Sequence, residues 1–338
     1  MISVGIVGAG RIGSVRAGVI RCSANSALVG IADVRVEQAN QLARASGIEG
    51  TRNWQELVTS PAIDAVVVAT PTVSHFDIAT AALKAGKHVL CEKPLATSTE
   101  RASEMVKEAK RRHLVLKTGF NYRHMDHVRT AKELLARGSL GPVYLLRCSF
   151  GHGGRPGYEK EWYNNAALSG GMALEQGIHV FDLVRYLLGE PTEVLAITPR
   201  FFWKFDKCED NVSCLLRTRL AQIAQIHVSW TQWRNILRLE IFGRDGYLTL
   251  EGRNGHYGTQ RLTFGRRKQD HSRPEEQTYE FGPTDDSWRS EWKEFVSAIE
   301  ENRDPIGNGL DGLRAQQIVE SAYDSAARQA WVTIDSMA

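Results

Sequence analysis

Long hydrophobic runs and cysteines are both scarce in this chain. No apolar stretch approaches the ~18 residues that a membrane-spanning helix needs. The apolar pattern begins at Ile2, so we expect no cleavable signal peptide. The five cysteines are odd in number and form no Cys-x-x-Cys pair. We therefore expect reduced thiols and a cytoplasmic location.

An excess of charge of one sign is also missing. The 42 Lys and Arg residues nearly balance the 39 Asp and Glu residues, which leaves a formal net charge of +3. A chain that binds nucleic acid through its bulk charge carries a much larger basic excess, so nucleic acid is not an expected partner. The cysteines and histidines show no metal-ligand spacing, and we expect no metal. The composition, 42% hydrophobic and 24% charged, is typical of a globular enzyme or ligand sensor.

The first 120 residues alternate short apolar runs with helical patterns. The runs Ile2–Val7, Ala27–Ala32 and Ala65–Ala69 suit strands that are buried on both faces. Helical spacing separates them, for example over Arg11–Arg21 and Val36–Ser46. Strands joined by helices of this length predict right-handed crossovers and a doubly wound parallel sheet.

The pattern changes after residue 140. Strict alternation over Ala224–Trp230 and Leu237–Ile241 indicates an antiparallel sheet with one well-buried face. Gly243-Arg-Asp-Gly246 separates two such runs and predicts a hairpin turn. We therefore predict an α/β protein of two domains. Residues 1–121 would contain the doubly wound parallel sheet, and residues 122–338 would form an α+β domain with a large, mostly antiparallel sheet.

A glycine-rich turn between the first predicted strand and helix has the spacing of a dinucleotide site. Gly8 permits a tight turn, Gly10 lets the backbone approach a pyrophosphate, and Gly13 lets the helix pack closely on the strand. Asp33 follows twenty residues after Gly13, where an acid is expected to accept a hydrogen bond from the ribose 2′-hydroxyl. This predicts a Rossmann domain that binds NAD; Arg35 nearby leaves NADP open, and a purely structural turn is the alternative. The expected cofactor contacts of this region are Gly8, Gly10, Arg11, Ile12, Gly13 and Asp33.

A Glu-Lys-Pro sequence, Glu92–Pro94, follows another buried apolar run, His88–Cys91, that is predicted to be a strand. Ligands of open α/β sheets bind beyond the carboxyl ends of the strands, so Lys93 would project into that crevice. A lysine beside a nicotinamide can exchange a proton with a substrate hydroxyl, whereas a lone lysine there is otherwise a solvated cation. Further cofactor contacts are expected after this strand and after the run Ala65–Ala69, at Thr70, Pro71, His75, Glu92 and Lys93.

Together these motifs resemble the glucose–fructose oxidoreductase/inositol dehydrogenase family (Gfo/Idh/MocA). The resemblance rests on Gly8–Gly13, Ala69–Pro71, His75 and Glu92–Pro94, and it extends over essentially the whole chain. It implies an NAD(P)-dependent oxidoreductase that acts on CH–OH groups. It also implies that Lys93 is catalytic, that the Lys93–Pro94 bond is cis, and that the protein assembles as a homodimer or homotetramer.

A later segment suits the substrate side of such a site. Ser169–Asp182 looks like the family's Gly-Gly-x-x-x-Asp-x-x-x-His segment, with Glu175 where the family usually has Asp. Glu175 and His179 are four residues apart, so a helix beginning near Ala173 would bring both side chains to one face. A carboxylate that orients an imidazole can form a proton relay. We therefore predict Lys93, His179 and Glu175 as catalytic residues; a structural histidine is the alternative for His179.

Two further regions are candidates for contact with substrate. Asn121 and Tyr122 lie at the predicted domain junction, where they could bind a hydroxylated ligand or act only as a hinge. Residues 151–171 form a glycine-rich loop of the kind that often binds ligands, although an oligomer contact is also open. Its arginine and aromatic rings suit phosphates and sugar faces. The expected substrate-binding residues are Lys93, Asn121, Tyr122, Arg155, Tyr158, Trp162, Glu175 and His179.

The predicted activity is oxidation of a secondary hydroxyl of a sugar, a sugar derivative such as a nucleotide sugar, or a cyclic polyol. A ketosugar reductase running in the opposite direction fits equally, because one acid–base pair serves both directions. A non-catalytic NAD-binding sensor on the same fold would not need Lys93 and His179, and both are present. The expected partners are a carbohydrate or polyol and further copies of this chain, without nucleic acid or membrane.

Overall fold

The chain divides by its internal contacts into two compact units. The first comprises Met1–Asn121 and Trp288–Arg314, and the second comprises Tyr122–Ser287 and Ala315–Ala338. The break after Asn121 falls near the point where the sequence pattern changes. The segment 288–314, in contrast, packs with the first unit. The computed structural model describes residues 1–161, 165, 171–205, 207–270 and 272–335.

The strands and helices of the described residues are numbered in chain order. The strands are β1 (Ile2–Val7), β2 (Ser26–Ala32), β3 (Gly50–Thr51), β4 (Ala65–Val68), β5 (His88–Cys91), β6 (Leu116–Thr118), β7 (Val143–Gly151), β8 (Pro191–Ile197), β9 (Asn211–Thr218), β10 (Ile223–Ser229), β11 (Ile236–Gly243), β12 (Gly246–Glu251), β13 (Arg261–Arg266), β14 (Glu275–Glu280) and β15 (Val332–Thr333). The α-helices are α1 (Arg11–Arg21), α2 (Val36–Arg44), α3 (Trp54–Thr59), α4 (His75–Lys84), α5 (Thr99–Arg111), α6 (Asp126–Ala136), α7 (Ile178–Leu188), α8 (Ser287–Glu300) and α9 (Gly309–Arg328).

The first unit is built around a six-stranded parallel sheet. Its strand order is β3-β2-β1-β4-β5-β6, and every neighbouring pair is parallel. Consecutive strands run outward from β1 in one direction and from β4 in the other, so the chain reverses its course across the sheet between β1 and β4. This confirms the doubly wound fold predicted from the sequence.

Both faces of this sheet are covered by helices. In β4, Ala65 and Val67 belong to a core that includes residues of α1, α2 and α8, whereas Val66 and Val68 belong to a core with residues of α3, α4 and α5. Successive side chains of a strand point to opposite faces, so a strand buried on both faces has no polar alternation. This is why β4 is an unbroken apolar run in the sequence.

Helix α8 completes the core of the first unit although it lies far along the chain. Its Trp292 and Phe295 are buried in the core that lies on one face of the parallel sheet. The Trp292 indole Nε1 donates a hydrogen bond to the Ser26 hydroxyl oxygen at 3.0 Å. The ring of Trp288 lies 4.6 Å from the guanidinium of Arg16.

The second unit contains a nine-stranded, mostly antiparallel sheet, as predicted. Its strand order is β14-β13-β12-β11-β7-β10-β9-β8-β15, in which β7 and β10 are the parallel pair. In β10 the side chains of Ala224, Ile226 and Val228 are buried, while Gln225 is exposed. Within this unit, α6 packs on β12 and β13, and α7 packs on β7 and β10.

A local sequence signal located one turn of this sheet. Gly243 pairs with Gly246, which confirms the predicted two-residue hairpin between β11 and β12. The polar stretch from Gly252 to Asp286 contains β13 and the edge strand β14. None of the described helices is long and apolar enough to cross a membrane.

Replacing Phe295 should test the packing of α8 against the parallel sheet. Phe295→Ala removes a fully buried ring and should lower the free energy of unfolding by about 3–5 kcal/mol, because a cavity remains. Equilibrium urea unfolding measures this change. The control is Phe201→Ala, since Phe201 is 74% exposed and should change stability by less than about 0.5 kcal/mol. Equal effects of the two substitutions would contradict the packing.

Candidate active site

The glycines of the turn after β1 meet different structural demands. Gly8 has a φ of 105°, and a Cβ there would lie 2.5 Å from the carbonyl oxygen of Ala69. A Cβ on Gly13 would lie 1.8 Å from the carbonyl oxygen of Gly8. On Gly10, however, a Cβ would meet no described protein atom within 4 Å. Gly8 and Gly13 are therefore required by the fold itself, and Gly10 leaves open space beside the backbone.

Helix α1 directs its N-terminus toward this turn. Gly10 is its N-cap, no side chain caps the helix, and its first turn holds no acidic residue. Arg11 is exposed and Ile12 is half-buried at the start of the helix. Backbone N–H groups and the positive end of the helix dipole favour an anion at such a place. The turn therefore fits the pyrophosphate of a dinucleotide.

Asp33 braces the glycine turn from the end of β2. One carboxylate oxygen accepts a hydrogen bond from the Ala9 N–H at 2.7 Å, and the other accepts from the Arg35 N–H at 2.8 Å. The Asp33 side chain is only 8% exposed. A carboxylate has about four lone-pair sites, so these two bonds leave acceptor capacity for a ribose hydroxyl. Asp33 can therefore both hold the turn and bind the sugar.

The turn that carries Lys93 is tied to the turn after β4 by His75. The Lys93–Pro94 bond is cis, as the family resemblance implies. The His75 ring places Nδ1 2.8 Å from the Pro94 carbonyl oxygen and Nε2 2.8 Å from the Thr70 carbonyl oxygen. His75 is 1% exposed, so its ring serves to join two backbone turns. Pro71 follows Thr70 and begins the 3₁₀ turn Thr72–Ser74, and Lys93 itself is half-buried.

A buried network of four charges lies beside Lys93. Glu92 accepts hydrogen bonds from Arg16 Nε at 2.8 Å and Nη2 at 2.6 Å. Arg16 Nη1 lies 2.7 Å from Glu291 Oε2, and Lys117 Nζ lies 3.7 Å from Glu291 Oε1. The side chains of Arg16, Lys117 and Glu291 are fully buried. Glu92, predicted to contact the cofactor, is thus an anchor that ties the Lys93 turn to α1 and α8.

The stability of this network depends on all of its members. Desolvating an ion costs several kcal/mol, and removal of one partner leaves another charge buried without compensation. Gly119 allows the close approach, because a Cβ there would lie 2.6 Å from Glu92 Oε2. Desolvation by burial and the neighbouring Glu92 charge raise the pKa of the Cys91 thiol well above its usual value. Cys91 is therefore a neutral core residue beside the network.

In the second unit, His179 is stacked on Tyr122. The two rings are nearly parallel, with centroids 4.1 Å apart and an interplanar angle of 9°. Arg123 donates two hydrogen bonds to Asp182, at 2.8 Å and 2.6 Å, and both side chains are buried. A bidentate pair of this kind fixes orientation as well as distance. Because Arg123 follows Tyr122 and Asp182 lies one turn after His179, this ion pair holds the two rings together.

Glu175 lies in a π-helical turn, Ala173–Gly177, that directly precedes α7. The sequence predicted a helix beginning near Ala173, and the structure replaces its first turn with i→i+5 hydrogen bonding. Single π turns are frequent at functional sites. Glu175 is half-buried and His179 is 8% exposed. Their role as a catalytic pair stays a prediction.

Arg253 and Tyr257 lie near His179, and sequence reasoning did not identify either. Arg253 donates a hydrogen bond from Nη1 to the Tyr122 hydroxyl. Its guanidinium lies 4.5 Å from the ring centre of Tyr257 and 5.3 Å from that of Tyr122. Both residues follow β12 in a polar stretch without periodicity, so the only local signal was the glycine content of Gly252–Gly258. Their relation to His179 is created by the tertiary fold.

Tyr158 belongs to an aromatic cluster of the second unit. It is 2% exposed, and its ring lies 5.3 Å from Trp230 and 5.4 Å from Trp203. Its hydroxyl is 3.4 Å from His152 Nε2. Tyr158 was expected to offer a flat ring to a sugar, and the structure instead encloses that ring among other aromatic side chains. Contact between Tyr158 and substrate stays a prediction.

His152 is a neutral hydrogen-bonding residue of this cluster. Burial lowers its pKa to about 4, a hydrogen bond to Gln176 opposes that change, and Arg253 and Arg155 lower the pKa further. Its Nδ1 accepts a hydrogen bond from the Gly154 N–H at 3.0 Å, so Nε2 carries the proton. Gln176 also accepts a hydrogen bond from the Trp230 indole. His152 therefore contributes a donor and no charge near pH 7.

The other expected substrate contacts are placed as follows. Arg155 is 61% exposed along its side chain, and its guanidinium is paired with Glu161. Asn121 is buried at the start of the 3₁₀ turn Asn121–His124. Trp162 lies outside the described residues. The described residues contain no group of three or more His, Cys, Asp or Glu side chains that could hold a metal ion.

Comparison with known proteins supplies the family. Inositol 2-dehydrogenase of Rhizobium meliloti (strain 1021) is 29% identical over 342 residues, which cover 98% of this chain and 99% of that protein. The 1,5-anhydro-D-fructose reductase of Ensifer adhaerens is 32% identical over 240 residues, or 70% and 71% of the two chains. A solved structure of levoglucosan dehydrogenase in complex with NADH and L-sorbose has the same fold. Its TM-score is 0.90 at 24% identity, and the match covers 99% of each chain.

Family models match both units of the chain. The model described as the Gfo/Idh/MocA oxidoreductase family, NAD-binding Rossmann fold, matches residues 2–120. The model of the Gfo/Idh/MocA C-terminal domain matches residues 128–249. The first match confirms NAD as the expected cofactor, in agreement with the glycine turn and Asp33. The chain is an NAD-binding oxidoreductase and belongs to the Gfo/Idh/MocA family.

Proposed function

We propose that this enzyme oxidises a secondary hydroxyl of a sugar, a sugar derivative including nucleotide sugars, or a cyclic polyol. Lys93 and His179 would form its acid–base pair. Relatives named as an inositol 2-dehydrogenase and a 1,5-anhydro-D-fructose reductase support this substrate class. In this proposal residues 1–121 serve the cofactor, and residues 122–338 serve the substrate and assembly.

The proposal rests on the position of Lys93 relative to the glycine turn. The turn follows β1 and Lys93 follows β5, and only β4 separates these strands in the sheet. The carboxyl ends of parallel strands share one edge, and two strand spacings correspond to roughly 10 Å. Lys93 is half-buried and its turn is anchored by Glu92 and His75. A lysine held in this way is suited to act on a substrate beside the cofactor.

The residues of the first unit would hold the cofactor in a defined orientation. The N–H groups around Gly10 would bind its pyrophosphate, and Asp33 would accept a hydrogen bond from its ribose. Bound NAD would supply the hydride-accepting centre of the reaction. The remaining contribution of the protein is to position the carbinol and to manage its proton.

Lys93 and His179 would move that proton. In oxidation, an unprotonated Lys93 amine or a neutral His179 imidazole takes the hydroxyl proton as the carbinol hydrogen leaves. Glu175 would orient the imidazole and stabilise its protonated form. Stacking on Tyr122 keeps the His179 ring in one plane. The imidazole therefore loses little orientational freedom when substrate binds.

The same residues serve reduction of a ketosugar. In that direction the protonated partner gives its proton to the developing alkoxide, by microscopic reversibility. The relative named as a 1,5-anhydro-D-fructose reductase favours this second candidate. The homodimer or homotetramer and the cytoplasmic location expected from the sequence stay predictions, and light scattering tests the first of them.

Loss of the Lys93 amine should abolish most turnover. Lys93→Ala should lower kcat by about 10²–10⁴-fold, the usual contribution of a positioned acid or base. The dissociation constant for NADH should change less than about 3-fold, because the glycine turn and Asp33 are untouched. Turnover is measured from the absorbance of the reduced nicotinamide as each compound of a panel of inositols and sugars is offered as substrate. Near-normal turnover would refute the assignment.

A matched control and a double variant sharpen this experiment. Lys84→Ala removes an exposed lysine from α4 and should leave turnover unchanged. If Lys93 and His179 act on the same hydroxyl, their alanine variants should be strongly non-additive, so that the double variant is little slower than the slower single one. Fully additive losses would argue that the two residues serve separate steps.

Gly10→Ala should separate cofactor binding from folding. The added Cβ meets no described protein atom, and the φ of −73° is accessible to alanine, so the thermal stability of the unliganded protein should change little. The Cβ would occupy the space of the pyrophosphate and raise the NADH dissociation constant at least about 10-fold. Gly18→Ala, also in open space on α1, is the control. Fluorescence titration with NADH that gave equal affinities for both variants would overturn this role.

A further inference from the structure

Arg253 is a cation held against aromatic rings one side chain away from His179. Its guanidinium lies over the ring of Tyr257, and its Nη1 donates to the Tyr122 hydroxyl. The Tyr122 ring in turn stacks on His179 at 4.1 Å. The guanidinium and the imidazole are therefore joined through a single phenol ring.

Arg253 forms no ion pair with a carboxylate in the part of the chain that the structure describes. The other arginines near this region do: Arg123 pairs with Asp182, and Arg155 pairs with Glu161. Asp285 acts on Arg253 only as a more distant charge. A partly buried cation without a carboxylate partner is uncommon, because burial disfavours charge unless it is compensated.

The neighbours of Arg253 are neutral side chains that can share hydrogen bonds. Burial and the proximity of Tyr122 raise the pKa of Tyr257 to about 12, so Tyr257 remains a phenol and does not neutralise the guanidinium. His152 is neutral because its pKa is about 4. Burial acts to lower the pKa of Arg253, but Tyr122, Tyr257 and Asp285 outweigh it, and the arginine stays charged.

The fork of Arg253 has donors to spare. A guanidinium carries five N–H groups, and one hydrogen bond, to Tyr122, is formed in the described structure. Stacking on Tyr257 and bonding to Tyr122 restrict the plane of the fork before any ligand arrives. A fork that is already oriented loses less freedom when it binds a planar carboxylate or a phosphate through two parallel bonds.

We infer that the substrate carries an anionic oxygen group, a carboxylate or a phosphate, which Arg253 binds while the reacting carbinol lies beside His179. This inference rests on the proposed function and names the class of its substrate: acidic sugars, sugar phosphates or phosphorylated polyols. Arg253 is then the residue that distinguishes them from neutral sugars. Arg155, the arginine expected from sequence to meet a phosphate, is already paired with Glu161.

The test compares ring-matched neutral and charged compounds with the NAD-loaded enzyme. The panel is glucose, glucuronate and glucose 6-phosphate, with myo-inositol and myo-inositol 1-phosphate, and reduced nicotinamide is followed by absorbance. The charged member of at least one set should have a kcat/KM at least about 10-fold above its neutral counterpart. The glucuronate and phosphate arms show which oxygen group is recognised.

Arg253→Met should remove this preference. It keeps a long apolar side chain and loses the charge, so kcat/KM should fall about 10- to 100-fold for the charged compound and less than about 3-fold for the neutral one. Arg253→Lys should recover part of the loss, because a point charge remains without the fork. Arg219→Met, in the exposed turn between β9 and β10, is the matched control for loss of one positive charge.

Each outcome separates this inference from the proposed function. Equal losses for neutral and charged compounds in Arg253→Met would show that Arg253 only positions Tyr122 and His179, and would overturn the inference alone. If no compound is oxidised, the proposed function loses support. Calorimetric titration of the NADH-loaded protein with glucuronate and glucose 6-phosphate then tests whether Arg253 binds an anionic group. Binding that Arg253→Met weakens supports the inference, and binding that it leaves unchanged, or no binding, overturns it.

Discussion

The ion pairs of Arg16 with Glu92 and Glu291 are the constraint on which the cofactor-binding unit depends. They join α1, the turn after β5 and α8, three segments that lie far apart along the chain. Buried charges are stable only when their partners are in place, since each ion costs several kcal/mol to desolvate. Because α1 begins at the glycine turn and Glu92 precedes Lys93, one network fixes both the proposed pyrophosphate site and the proposed catalytic lysine. The distance between them is therefore set by buried charge and not by a flexible loop.

Local features of the sequence predicted a large part of this architecture. The glycine spacing of Gly8–Gly13 predicted a strand, a tight turn and a helix, because the steric demands at Gly8 and Gly13 arise within a few residues. Alternation in β10 and β11 and the Gly243–Gly246 hairpin are equally local. The alternation that marks a buried face and the residues that form a turn extend over only two to four positions. They can therefore be recognised in the sequence without knowledge of the fold.

The remainder could not be predicted because it depends on contacts between distant segments. Trp292 and Phe295 pack on the parallel sheet of the first unit, and nothing local in the sequence indicates that their core is that sheet. Arg253 and Tyr122 form a hydrogen bond although they are 131 residues apart in the sequence. No local pattern around either residue predicts this contact. The surroundings of Tyr158 were equally hidden from local patterns, because the rings of Trp203 and Trp230 that enclose it come from distant segments.

Buried ion pairs hold the proposed functional residues of both units, and the second unit adds Arg253, a cation that is not part of such a pair in the described part of the chain. In the first unit, charges are paired and buried, so a substitution there disturbs the position of Lys93 together with the fold. In the second, the Arg123–Asp182 pair fixes the Tyr122 and His179 rings. Arg253 is not part of that pair, and it contacts the Tyr122 ring from the segment that follows β12. In the proposed site, chemistry and recognition are thus supported by separate interactions. A change at position 253 can alter which substrates are bound while the ion pair keeps the imidazole in place, which is the condition under which one scaffold accommodates many sugars.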